Sequence, residues 1–426
     1  MFFKGELRFG VMQKSIIKEQ ILSQLLNTYA NTLRVLKQNT AGNKSASALF
    51  LPPDDPGSLG DEAMLAAGMK RLAEQGIKRI GIVNLKSNVR WENLDLVTET
   101  INLRGHFAYH SWKDRFRFVQ MVSRYDRFYC IGADVMDGFY SDSRTLRFIE
   151  LVALAAKTGA SATILGFSFN EQPTPNSVQA LANLPASVRL CSRDPVSHQR
   201  LTHHLQRRVD LVADVAFLLE PAQEDSELAT GVSKWVRQQQ ELGRMVVGVN
   251  ANSLHLKSLP QFGFDDLIRL YADALVELFS SHPTISFLMI PHDFRGKESD
   301  VSLASAILER LPIPMNSYCM KVPTPCSAAE IKFMCADLNL VFTGRMHLAI
   351  ACLGQGVPVA GVTYQGKFEG LFNHFALQGM TIAPEKAFQP GALADFLAGI
   401  IAKREDIRQQ IQVKLAKVQA LSSLNF

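Results

Sequence analysis

Apolar residues recur along this chain in two rhythms. Over residues 13–37, Ile16, Ile17, Ile21, Leu22, Leu25, Leu26, Tyr29, Leu33 and Leu36 stand at helical intervals with Lys, Gln and Asn between them, which predicts an amphipathic helix. Residues 38–45 then read as a polar linker. From residue 46 short β-rich runs alternate with helical patterns. Strands are expected over 48–51, 79–83, 128–131, 162–166, 188–191 and 210–212, and helices over 61–75, 143–157 and 195–205, with a basic and aromatic stretch at 106–127. The polar cluster at 220–227 breaks this series. A second series places strands over 245–249, 285–290, 339–342 and 357–362 and helices over 265–279, 298–311 and 327–335, and residues 390–421 close the chain in one or two helices.

Such alternation marks parallel sheets, because each strand must be followed by a crossover that returns the chain to the same edge. Two series predict an α/β fold of two Rossmann-like domains facing across a cleft. The expected spans are 1–45 for the leading helix and linker, 46–225 and 240–390 for the two domains, and 391–426 for the closing helices.

A chain of 426 residues with 47% hydrophobic content can bury two cores. Its formal charge of +5, with no long basic run and no aromatic ladder, argues against a nucleic-acid partner. No stretch approaches the ~20 apolar residues of a spanning helix, and charges interrupt the first turns where a secretory signal would be apolar. Six cysteines without a Cys-x-x-Cys pair read as buried thiols in a reducing cytoplasm, and no metal site is expected. The leading helix is expected to pack on the body or on a second subunit, giving a homo-oligomer. Its alternative is peripheral contact with the inner face of a membrane.

Candidate chemistry gathers at strand ends, where open α/β sheets bind ligands. The strand at 339–342 runs into Thr343, Gly344, Arg345, Met346 and His347, and the next strand leads through Tyr364, Gln365 and Gly366 to Lys367. Cations at helix N-termini oppose the partial positive charge already there, and a bound anion would remove the conflict. His347 is the best candidate acid or base, because imidazole titrates near neutrality. Other strand ends offer Asp61 in a glycine-containing loop, Asp134 and Asp137 after Gly132, Arg193 beside Asp194, and His292 beside Asp293.

The ordered set Gly60-Asp61-Glu62, Ser192-Arg193-Asp194 with Ser197, Asp214 with Phe217, Pro291-His292-Asp293, and Gly344-Arg345, His347, Gly356, Pro358, Tyr364 and Lys367 resembles the polysaccharide pyruvyl transferase family over roughly residues 45–380. The resemblance implies a GT-B-like fold. It also implies transfer of the three-carbon unit of phosphoenolpyruvate onto sugar hydroxyls as a cyclic ketal, with phosphate released and no further cofactor. On that reading His347 and Arg345 are catalytic, and Arg193, Arg345 and Lys367 hold the donor. Asp61, Asp134, Asp137 and His292 hold the acceptor, a sugar or glycan in polymeric, nucleotide-linked or lipid-linked form. Two departures bear on the acceptor: Gly132-Ala133-Asp134 stands where relatives carry paired glycines, and residues 166–170 replace a Gly-Gln-Ser run. Two rivals stay open, a GT-B glycosyltransferase using a nucleotide sugar, with Glu369 as its acid, and a non-catalytic saccharide-binding relative.

Overall fold

Central strands that are apolar on both faces, such as Leu49, Phe50 and Leu51, are buried on both sides, and helices cover each sheet. A computed structural model describes residues 3–39, 46–363 and 366–426, with residues 3–16 described by backbone alone. Residues 40–45 of the expected linker, and Tyr364 and Gln365, lie outside the described residues.

The first sheet comprises β1 (Ser47–Leu51), β2 (Arg79–Asn84), β3 (Glu99–Asn102), β4 (Arg127–Ala133), β5 (Ser161–Phe167), β6 (Arg189–Ser192) and β7 (Asp210–Leu211). Its order is β3-β2-β1-β4-β5-β6-β7, parallel throughout. The second holds β8 (Met245–Asn250), β9 (Ile285–Met289), β10 (Cys319–Lys321), β11 (Leu340–Thr343), β12 (Val359–Val362) and β13 (Thr381–Ile382). Its order is β10-β9-β8-β11-β12-β13, again parallel. Strand order reverses between β1 and β4 in one sheet and between β8 and β11 in the other. Loops leaving adjacent strands there turn opposite ways and open a crevice. The two crevices face each other.

The sequence pattern missed β3, β10 and β13, edge strands of two to four residues whose exposed flank leaves too short a run for periodicity to register. It also missed helices Pro175–Ala182 and Glu227–Glu241. Between the sheets the chain passes through a 3-10 turn, Val215–Leu218, whose Phe217 and Leu219 carbonyls accept from the buried ammonium of Lys332.

The closing helices are Ala392–Ala402 and Arg404–Ser423. The second starts against the C-terminal sheet, where Arg408 donates to the carbonyls of Leu338 and Asn339. It ends on the other sheet: Ser422 Oγ donates to the Asp214 carbonyl at 2.6 Å, and Asn425 accepts from the Gly166 amide at 2.8 Å.

The leading helix, Phe3–Asn39, is longer than its periodicity predicted. It packs on the N-terminal domain through buried Leu26 and Ala30, and Glu19 accepts from Trp112 Nε1 at 3.1 Å. Ile17, Ile21, Leu25, Val35 and Leu36 stay exposed. Among the described residues no helix is long and apolar enough to cross a membrane.

Candidate active site

A cavity of about 360 Å³ lies between the two crevices. Loops after β1, β4 and β6 supply one wall and loops after β8, β9, β11 and β12 the other.

Arg345 is set by the end of β11. Thr343 Oγ1 donates to Asn250 Oδ1 at 3.0 Å and accepts the Arg345 amide at 2.8 Å, which holds Arg345 in extended geometry at the N-cap of helix Met346–Leu353. Gly344 is required there, since a Cβ would sit 2.3 Å from the His255 ring. The Arg345 guanidinium grips Asp300 through Nη2 at 2.7 Å and Nε at 3.2 Å, and reaches Asp293 at 3.2 Å. Asp300 is buried and takes further bonds from Asn250 Nδ2 and the His292 amide. Protein carboxylates therefore meet the charge conflict expected at this helix start.

His347 lies across the cleft on Gly60, where an added Cβ would approach Nδ1 to 2.3 Å. Its Nε2 makes no hydrogen bond and faces Asp214 Oδ2 at 3.6 Å. The same oxygen accepts from Arg193 Nη1 at 2.9 Å, while Arg193 Nε donates to Ser168 Oγ at 2.8 Å. Arg193 and Asp214 are 4% and 2% exposed, so their pairing is shielded from water. Burial pushes the Asp214 carboxyl up, but His347 and then Arg193 outweigh it and hold it at about 2. Asp214 thus stays ionised and joins His347 to Arg193.

Lys367, at the start of helix Lys367–Asn373, crosses the cleft to Asp134 beyond β4 and to Tyr140 Oη at 2.8 Å. Burial opposes ionisation of Asp134, yet Lys367 and Arg193 hold its carboxyl well below the usual range. Asp61 differs. It sits in the first turn of helix Leu59–Glu74, and burial raises it to about 7 against the weaker pull of Arg295, 3.9 Å away, and His347. Near neutrality Asp61 can gain or lose a proton. His292 is lowered to about 3 by burial and then by His347 and Arg345, which keeps its imidazole neutral.

Arg345, His347, Arg193, Lys367, Asp61, Asp134 and His292 all line this cavity. Asp137 is not among the residues lining the cavity: its buried carboxylate accepts the amides of Phe139 at 3.0 Å and Asn170 at 3.1 Å, which ties down its own loop. Four participants were missed. Asp54 accepts from Arg144 at 2.9 Å and Arg295 at 3.1 Å, and Asp214 and these two arginines stand within or directly behind the cavity wall. The sequence signal for Arg295 was its place two residues after Asp293; Asp214 had been noted as a motif without a role.

The arrangement supplies several guanidinium and ammonium groups, each already paired with a carboxylate, and two groups able to move protons beside them. An entering anion competes with those internal carboxylates. Multiply charged ligands with two anionic groups compete best, since each group replaces one carboxylate.

Solved structures share the fold. A glycosyltransferase from Rickettsia africae aligns at TM-score 0.54 and 11% identity, covering 90% of this chain and 97% of that one. UDP-GlcNAc 2-epimerase from Neisseria meningitidis, bound to UDP-GlcNAc, aligns at 0.52 and 11%, covering 89% and 97%. A putative UDP-N-acetylglucosamine 2-epimerase from Listeria monocytogenes aligns at 0.53 and 12%, covering 86% and 90%. At such identities the likeness establishes the GT-B-like fold and nothing about chemistry. A comparison with curated protein sequences returned no match. A family model for polysaccharide pyruvyl transferase matches residues 59–366, a span that takes in both walls of the cleft, and the chain belongs to that family.

Proposed function

We propose that this enzyme moves the pyruvyl group of phosphoenolpyruvate onto two hydroxyls of a sugar, leaving a cyclic ketal and free phosphate. The observation that carries the reading is the convergence of Arg193, Arg345, His347 and Lys367 from three strand ends onto one cavity. The donor bears a phosphate and a carboxylate, and Arg345, Arg193 and Lys367 are the groups assigned to them. Guanidinium suits both, because its planar fork meets two oxygens together.

In the assigned sequence His347 delivers a proton to the donor's methylene carbon while the first sugar hydroxyl adds to the neighbouring carbon and yields its proton to Asp61. The second hydroxyl then displaces phosphate from that carbon and passes its proton to the now neutral His347, while the proton held by Asp61 leaves on the phosphate. Two carbon–oxygen bonds form and the carbon–oxygen bond to phosphate breaks. Neutral His292 and the Asp134 side of the cleft orient the sugar. The acceptor is polymeric, nucleotide-linked or lipid-linked; the exposed stripe on the leading helix is compatible with the last.

Incubation with phosphoenolpyruvate and a panel of glycans, read by phosphate release and by mass spectrometry of the glycan, tests the proposal. Arg345→Ala is expected to abolish donor-dependent phosphate release, and His347→Ala to do so while donor binding persists. Undiminished turnover in either variant refutes the assigned role. Stabilisation by nucleotide sugars instead of phosphoenolpyruvate would favour the glycosyltransferase.

A further inference from the structure

We propose that His106, His110 and Glu150, none of which lines the cleft cavity, form a binding site for a first-row divalent cation, zinc being the fitting probe. One ligand atom from each residue lies within 4.8 Å of the other two. His110 Nε2 is already 2.6 Å from Glu150 Oε2. Two imidazoles and one carboxylate with open positions make a donor set that zinc accepts.

His106 is the strongest pointer. Its side chain is fully buried, and its Nε2 lies 3.1 Å from the Arg147 carbonyl. A carbonyl can only accept, so Nε2 carries the proton and Nδ1 carries the lone pair. That Nδ1 is buried with no hydrogen-bond partner, a costly state for a polar atom. Metal-bound histidines commonly show this arrangement, one nitrogen on the ion and the other N–H on a backbone carbonyl.

His110 follows as the C-cap of helix Arg104–Tyr109, at φ 54°. Arg115 Nε, 3.3 Å from Glu150 Oε1, occupies the other carboxylate oxygen and leaves Oε2 to the cluster. Zinc bonds of about 2.0–2.1 Å require the donors to draw closer, and the exposed His110 side chain is the one free to swing. The bound ion would pin residues 104–110 to helix Asp142–Lys157.

Metal-free protein should be titrated with Zn²⁺ against a chromophoric chelator and, separately, with Co²⁺ while the visible absorption is recorded. The expected result is one ion per chain, a Co²⁺ spectrum of low coordination number, and a rise in Tm with Zn²⁺. His110→Ala and Glu150→Gln, both at partly exposed positions, should weaken binding by more than the ~10–100-fold that loss of an outer-shell partner costs. Phosphate release at the cleft should persist in both variants, so failure here is separable from failure of the proposed function. Absence of stoichiometric binding in the wild type, or unchanged affinity in the double variant, overturns the site.

Discussion

Asp214→Asn is the most informative single change, because one buried carboxylate there serves both His347 and Arg193. The amide keeps the shape and still accepts from the Ala216 amide, but the guanidinium of Arg193 loses its countercharge. Breaking a buried pair from one side costs about 3–5 kcal/mol. A second route gives a similar figure: lowering the carboxyl from 3.8 to about 2 corresponds to about 2 kcal/mol of preferential binding of its ionised form. Both groups are at most 4% exposed, so little solvent screening applies. A loss of about 2–5 kcal/mol is therefore expected in urea denaturation near neutral pH. The sign also fixes the pH window. A depressed carboxylate contributes stability above 3.8 that disappears as pH falls toward about 2, so wild type and variant should converge in acid. The same variant leaves the cavity more positive, and inorganic phosphate should protect it from thermal unfolding more than it protects wild type, even as turnover falls. If the variant unfolds at the wild-type urea concentration and gains nothing from phosphate, the buried carboxylate does not organise these two cations.

Other consequences are open to test. Asp61 is raised from 3.8 to about 7, so its contribution to stability is complete below about pH 4 and lost as pH climbs to about 7. The difference is about 4 kcal/mol at most. Asp61→Asn should flatten that decline in denaturation measured across the interval, and an unchanged slope counts against the assignment. Ala133 adopts φ 45°. Relief of left-handed strain, about 1–2 kcal/mol, should offset the lost methyl burial and added chain entropy in Ala133→Gly. Near-equal urea midpoints are expected, and a loss above about 2 kcal/mol would refute the offset. For Lys367 and Asp134, a double-mutant cycle with Lys367→Met and Asp134→Asn should return a coupling of about 1 kcal/mol, reduced by partial exposure of both side chains. Zero coupling would mean that the pair does not form in solution.

Central strands and their helices could be read from the sequence because burial on both faces leaves long apolar runs, as in β4 and β8. Of the edge strands β7 was read, but β3, β10 and β13 could not be, since only two to four residues pair in each. The gathering of Arg193, Arg345, His347 and Lys367 was legible for a topological reason: parallel sheets send every such loop to one edge. Their countercharges were hidden. Asp300 lies 45 residues before Arg345 and Asp134 lies 233 before Lys367, separations at which no local pattern links the partners. Asp137, whose carboxylate ties down its own loop, shows the complementary limit. An aspartate after a glycine turn looks the same in sequence whether it faces a ligand or ties down its own loop.

The return of helix Arg404–Ser423 to the first sheet means that the polypeptide joins the two halves twice, once beyond the Val215–Leu218 turn and again here. Two such tethers, beside the Leu59 and Phe294 amides that donate across the junction to the His292 and Gly57 carbonyls at 3.1 and 2.9 Å, hold the two walls of the cleft in register.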